Sequence, residues 1–265
     1  MSKALVIVTW DNAPHLSEKA KAELLSSYRA SEIEARTQGK PTLGSGAIYP
    51  INDKEIQVDA YLIPSHYKRL CAIDFGVRNP ALVWLAYNDE DDSGVIYDCW
   101  KGNGTDVYSF GQIADIAKSR GAWIPMAWPH DGRIEVSDEN GDRPDGAAGV
   151  SKANLMREKG VNMLPEHAQH AEPGIGEGTR KALESVSGGL DSVYEAMLQG
   201  RFKVFTHLTQ WFAEKNFYHR KDGRIVKKRD HLMDASRYLW ISRRFAQLAP
   251  NQTTGRRERA SWKTV

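Results

Sequence analysis

The stretch Leu70-Cys-Ala-Ile-Asp-Phe-Gly-Val-Arg-Asn-Pro80 runs from mostly apolar residues into an acid and then a glycine. That is the pattern of a buried strand ending in a carboxylate. Gly76, Asn79 and Pro80 are turn formers, and the next apolar run, Ala81 to Tyr87, follows at once. The spacing suits a hairpin rather than a crossover. Asp74 is thereby placed at the rim of a sheet, beside a tight turn. An acid there either caps the turn or supplies the first ligand of a metal site, and Asp74 alone does not choose between them.

Toward the C-terminus, Ala72 to Asp74, Ala81 to Tyr87 and Gly94 to Trp100 form three short runs joined by turn residues, an antiparallel meander. Val107 to Arg120 carries Ile113, Ile116 and Ala117 at helical spacing and leads into a fourth strand, Ile124 to Trp128. A crossover helix makes that strand parallel to a partner in the same sheet. It ends in Pro129-His-Asp-Gly132, a second acid at a strand terminus. Arg133 to Val150 is polar, Gly-rich and aperiodic, and reads as a loop. Its Asp138, Asn140 and Asp142 imitate a calcium loop, but Arg143 stands where glycine is needed and Gly149 where glutamate is needed. Beyond it the sequence predicts a helix over Ser151 to Lys159, a short strand over Val161 to Leu164, and helices over Lys181 to Gln199 and Leu208 to Lys215. A hairpin over Phe217 to Lys227, turning at Lys221-Asp-Gly223, precedes a last helix from about Arg229 to Phe245.

Toward the N-terminus the character changes. Ala4 to Val8 is strand-like, Ser17 to Tyr28 is helix-like with Ser17 as N-cap, and Gly39 to Pro50 reads as loop. Residues 1–64 hold too little apolar surface for a core of their own. The expected organisation is an N-terminal appendage over 1–64, an α/β domain over 65–248, and a disordered basic tail over 249–265 with Arg256, Arg257 and Arg259.

The 265 residues are 41% hydrophobic, enough for a real core. Lys and Arg total 36 against 34 acids, so any surface for nucleic acid must be a local patch. Cys71 and Cys99 lack neighbours at metal-ligand spacing and are expected as reduced core thiols. No apolar run approaches a membrane span and no secretory pattern opens the chain, so a cytoplasmic protein is expected. The phosphate-binding Gly-x-x-x-x-Gly-Lys-Ser/Thr pattern is absent, which leaves no ATP site of that kind in this chain. Gly174, Gly176 and Gly178 read as a flexible lead-in to a helix rather than a dinucleotide loop.

In the last helix, Leu232, Ala235 and Leu239 share one face at about 3.6 residues per turn, while Asp230 and Asp234 project from roughly the opposite side and His231 borders them. Asp230 is either a helix cap or an additional acid of a site. Asp234 lies a turn deeper, where capping does not explain it. If the first and fourth strands are adjacent and parallel, Asp74 and Asp131 share one rim, and the last helix can bring Asp234 over it. Carboxylates gathered in that way repel unless cations hold them, and hard divalent ions are the usual solution. Arg220, Lys221, Arg224, Lys227, Lys228 and Arg229 make a basic hairpin leading into the acid-bearing helix and are candidates for phosphate contacts, as is Arg78 beyond Asp74. His130 is expected as a hydrogen-bonding residue at a strand end, and His167 and His170 have no zinc-ligand pattern around them.

The order of elements, with an acid on strand one, strand four and a late helix, resembles the ribonuclease H and retroviral-integrase superfamily. More narrowly, Ala72-Ile-Asp-Phe-Gly76, Trp128-Pro-His-Asp-Gly132, Phe217-Tyr-His-Arg-Lys-Asp-Gly-Arg224 and His231-Leu-Met-Asp-Ala-Ser-Arg-Tyr238 resemble the nuclease domain of the large terminase subunit of tailed bacteriophages. Thr9-Trp-Asp-Asn-Ala-Pro-His-Leu-Ser17 and Leu43-Gly-Ser-Gly-Ala-Ile-Tyr-Pro50 are similar to the end of that family's ATPase domain and its linker. The resemblance implies a ribonuclease H-like mixed sheet flanked by helices and a metal-dependent endonuclease acting on double-stranded DNA in the host cytoplasm. By the same likeness Asp74, Asp131 and Asp234 would bind two Mg²⁺ or Mn²⁺ ions, with His231 beside the second metal or the scissile phosphate. The implied partners are the ATPase portion of the terminase, the small terminase subunit and the portal protein. A resolvase- or transposase-type nuclease, or a non-catalytic DNA-binding module of the packaging motor, are the alternatives.

Overall fold

The computed structural model describes residues 10, 16–27, 37, 46–76, 78–136, 149–168, 186–221 and 224–250. In chain order the elements are helices α1 (Glu18–Ser27) and α2 (Asp53–Ile56), then strands β1 (Gln57–Val58), β2 (Lys68–Asp74), β3 (Ala81–Asn88) and β4 (Ser93–Lys101). Helix α3 (Phe110–Lys118), strands β5 (Met126–Ala127), β6 (Glu135–Val136) and β7 (Val150–Ser151), and helices α4 (Lys152–Glu158) and α5 (Val186–Leu198) follow. Strand β8 (Phe202–Phe205), helix α6 (Thr209–Phe217), strands β9 (Arg220–Lys221) and β10 (Arg224–Ile225), and helix α7 (His231–Ile241) complete the set.

Six strands form one mixed sheet in the order β1-β8-β4-β3-β2-β5. β3 is antiparallel to both β2 and β4, while β5, β8 and β1 join by parallel pairing. β3 alone therefore runs against the others, and the C-terminal ends of the other five reach one rim. β3 is buried along its whole length, as an apolar run with both faces covered must be. Side chains alternate along β2, so Leu70, Ala72 and Asp74 share a face. Helix α7 lies against β2 and β3, with α5 and α6 beside it. Cys71, on the other face of β2, meets Ala117 of α3 and Ile124 across a small cavity. Helix α3 starts with a capping box in which Ser109 and Gln112 satisfy each other's backbone N–H.

The expected meander, the crossover through α3 and the parallel pairing of the first and fourth strands are all present, the last in the register Cys71↔Met126 and Ala72↔Ala127. Several expectations change. The fourth strand shrinks to Met126–Ala127, and Val161 to Leu164 contributes a single parallel bridge, Met126↔Met163. Phe202–Phe205, not expected as a strand, is inserted between β4 and β1, with Gly94 facing Phe202 and Ile96 facing Val204. Residue 64 is not a packing boundary, because Tyr49, Ile51 and Ile56 belong to the main core and β1 extends the sheet. Ser17 does cap α1, its Oγ accepting from the Ala20 amide at 3.2 Å. The strand expected over Ala4 to Val8, residues 39–45 of the expected loop, the acids at 138 and 142, the glycines at 174–178, His170, the hairpin tip 222–223 and the tail from 251 lie outside the described residues. Among the described residues no helix is long and apolar enough to cross a membrane.

Candidate active site

Asp74 ends β2 on the face that α7 covers, and its Oδ2 lies 2.9 Å from His231 Nδ1. Burial pushes its carboxyl up, the hydrogen bond from His231 opposes this, and the nearby charges of Asp234 and Asp131 add to the rise. The result is a carboxyl raised to about 6. His231 is raised in turn, first by its bond to Asp74 and against its own burial. With Asp74 ionised, the Nδ1–H of His231 donates.

Asp131 reaches the same rim by way of the parallel pairing of β5 with β2, in a 3₁₀ turn from His130 to Arg133. Two contacts hold that turn. Trp128 Nε1 donates to Leu164 O at 2.7 Å, and Gly132 packs so close to Trp128 that a Cβ would stand 2.5 Å from its ring. Asp131 Oδ2 pairs with Lys152 Nζ at 3.3 Å, and that ammonium also faces the Phe75 ring at 5.6 Å.

Helix α7 is buried nearly all round, so the side expected to carry Asp230 and Asp234 away from the core is not a solvent face. Asp234 Oδ1 accepts from Tyr218 Oη at 3.3 Å and Arg237 Nη2 at 3.4 Å, and Oδ2 from Lys227 Nζ at 2.7 Å. Asp230 occupies the N-cap position but makes no capping bond. Its carboxylate is buried and pairs with Lys227 Nζ at 3.3 Å. The capping alternative for Asp230 is thus not met, and its carboxylate shares Lys227 with Asp234. The cap comes from Glu214 on α6, whose Oε2 accepts from the Leu232 amide at 2.7 Å while Oε1 pairs with Lys101.

Among the described residues no group of three or more His, Cys, Asp or Glu side chains stands in a metal-holding arrangement. Each acid instead faces a basic side chain. His231 stands on Asp74, Lys152 on Asp131, Lys227 on both Asp230 and Asp234, and Arg237 on Asp234. Of the basic residues expected to meet phosphate, Lys227 turns its ammonium inward to these acids. Arg229 lies over the exposed Phe217 ring at 4.9 Å. Lys221, Arg224, Lys228 and Arg78 are exposed, and Arg220 is half-buried. Lys152, Tyr218, Arg237, Glu214 and Lys101 escaped sequence reasoning, because each acquires its role only through a partner distant in the chain or a helix face that folding buries. His130 is exposed and meets His167 edge to face, ring centroids 5.2 Å apart.

Comparison with known proteins agrees with this geometry. The family model described as the terminase RNaseH-like domain matches residues 71–243, and that of the terminase large subunit, T4likevirus-type, N-terminal, matches residues 1–56. The terminase large subunit of Salmonella phage P22 is 34% identical over 250 residues, 93% of this chain and 46% of the relative. That of Enterobacteria phage LP7 is 34% identical over 245 residues, covering 91% and 47%. The chain thus spans about half the length of the curated relatives it matches. The solved P22 large terminase nuclease domain superposes with a TM-score of 0.63 at 32% identity, covering 78% of this chain and 97% of that one. The large terminase of a thermophilic bacteriophage, solved in complex with ADP, gives 0.55 at 18% identity over 90% of this chain and 55% of its own, a likeness of fold. With its mixed sheet, its acids gathered on one rim and a family match across most of its length, the chain belongs to the terminase RNaseH-like domain family.

Proposed function

We propose that the chain is a metal-dependent endonuclease that cleaves double-stranded DNA during phage genome packaging. One observation carries the reading: Asp74 is half-buried with Asp131 and Asp234 near it and is raised to about 6. A fold gains nothing in stability from crowding carboxylates in this way, so the arrangement needs another purpose. The donors are all carboxylate oxygens, the chemistry that Mg²⁺ and Mn²⁺ prefer. Asp74, Asp131 and Asp234 would hold two such ions, which when bound supply a more acidic water and a counter-charge for the leaving oxygen.

The protein's own residues do the rest. The imidazole of His231 fixes the orientation of the Asp74 carboxylate through the bond at 2.9 Å. Lys152 and Lys227 neutralise Asp131 and Asp234 until a divalent ion takes their place, so the acids can remain close without forcing the rim apart. Lys221, Arg224, Lys228 and Arg229 offer phosphate contacts without base readout, which suits cutting with little sequence preference. The ATPase portion of the terminase, the small subunit and the portal are the partners this reading assigns.

The lysines on Asp131 and Asp234 favour a second reading, a DNA-docking module whose acids are permanently neutralised. Conversion of supercoiled plasmid to nicked and linear forms separates the two. The nuclease reading expects cutting with Mg²⁺ or Mn²⁺, none with EDTA, and none from Asp74→Ala or Asp234→Ala. A folded, DNA-binding protein that cuts under no metal condition would give the second reading precedence.

A further inference from the structure

We infer that Glu214 is a positioning residue for the acidic rim: it caps α7 from the neighbouring helix α6 and so sets where His231 and Asp234 stand. Its part in cleavage rests on the nuclease reading, but its part in placing α7 does not.

Helix α7 does not cap itself. Asp230 stands at the N-cap position with φ −118° and ψ 3°, outside the extended geometry of a capping residue, and makes no capping bond. Arg229 before it has φ +55°, the left-handed region unusual for a residue with a side chain. The Asp230 carboxylate faces Lys227 instead of the helix amides. Glu214, only 3% exposed, takes over by accepting the Leu232 amide at 2.7 Å. Leu232 directly follows the histidine that bonds Asp74 and lies two residues before Asp234.

The other oxygen of Glu214 pairs with Lys101, the last residue of β4, whose end lies on the same rim as Asp74. The first turn of α7 is thereby referred to the sheet that carries Asp74. A second attachment lies one turn further on: Trp211 Nε1, also on α6, donates to Ser236 Oγ at 2.8 Å, and that hydroxyl donates to Leu232 O at 2.6 Å. Two contacts from one helix fix the rotation of α7 about its axis. A side-chain carboxylate lies about 5–6 Å from a helix axis, so a rotation of about 10° moves it about 1 Å. Misplacement on that scale is enough to weaken a site built from converging groups. A buried ion pair adds little to stability over apolar residues of the same size, so its use here is better explained by placement.

The test separates placement from stability. In the double variant Lys101→Met with Glu214→Leu, apolar side chains replace the pair and the acceptor for the Leu232 amide is lost. We expect its Tm to stay within a few degrees of the parent, with hydrogen exchange at the Leu232 amide at least tenfold faster. Mn²⁺ affinity, read by calorimetry, should fall about tenfold, and plasmid cleavage should lose at least tenfold in kcat with KM within about twofold. Glu214→Gln keeps an acceptor oxygen and should recover most of each loss. A double variant with parental Leu232 exchange and parental Mn²⁺ affinity would overturn the inference. If the parent itself does not cut DNA, the nuclease reading fails while Leu232 exchange still decides the role of Glu214.

Discussion

The two ends of the sheet treat carboxylates in opposite ways. At the β3–β4 turn Asp92, the last of four consecutive acids, receives Arg243 through Nε at 2.7 Å and Nη2 at 2.9 Å, Tyr87 Oη at 2.8 Å, and the Arg201 guanidinium. Burial alone would raise it, but Arg243, Tyr87 and Arg201 together hold its carboxyl below the ordinary range. At the other end Asp74 has Asp131 and Asp234 near it, and is raised to about 6. Where two guanidinium groups converge on one carboxylate, the charge ties elements together. Where a carboxyl lies among other acids, its ionisation is disfavoured despite basic partners, and on the nuclease reading that is the end where chemistry belongs.

Substitution should exchange the two ends cleanly. Asp74→Asn is expected to lower plasmid cleavage about a thousandfold, roughly 4 kcal/mol of barrier, while its Tm stays at or above the parent's. Cleavage within tenfold of the parent would remove Asp74 from the site. Asp92→Ala should do the reverse, leaving cleavage per folded molecule intact and costing about 1–2 kcal/mol after allowance for partial exposure. In a scanning calorimeter that is a fall of roughly 2–8 °C.

Acidity offers a finer discrimination. Asp74 is raised from 3.8 to about 6 in the fold, so the stability it contributes is full below pH 3.8 and lost as pH rises through 6. His231, raised from 6.5, loses its contribution with rising pH in the same sense. The Tm of Asp74→Asn should therefore gain on the parent between pH 4 and pH 7. Asp92 is depressed below 3.8, so its contribution is present above that value and fades as pH falls. The deficit of Asp92→Asn should accordingly be full at pH 7 and shrink toward pH 3. Profiles that move together would dissolve the contrast.

The smallest effect concerns Lys227, which bridges Asp230 and Asp234. Lys227→Met removes the ammonium that a divalent ion must displace, and calorimetry should show Mn²⁺ bound about threefold to tenfold more tightly. Weaker binding would mean that Lys227 helps to assemble the acids.

Much of this was legible in the residues. The turn at Gly76 to Pro80 and the crossover through α3 predict that Asp74 and Asp131 share a rim, and the register Ala72↔Ala127 puts them there. Phe202–Phe205 escapes a sequence reading because its four residues sit between two helices, and pairing to β4 and β1 rather than local propensity makes it a strand. Ser236 and Arg237 are polar side chains of α7 that the fold buries. Their partners reach them through folding: Trp211, distant in the chain, bonds Ser236, and Arg237 turns to Asp234. Glu214 lies 18 residues from the amide it caps, beyond the reach of any helix-start motif.

The bond between Asp74 and His231 closes a separation of 157 residues. A ribosome delivers the chain from its N-terminus, so the hairpins of β2, β3 and β4, whose contacts are local, can form long before α7 exists. The rim lacks Asp230, His231 and Asp234 until that last helix arrives. On the nuclease reading, competence of the site is thus a property of chains extended through α7, and a nascent or prematurely terminated product that stops short of residue 230 carries the sheet without Asp230, His231 and Asp234.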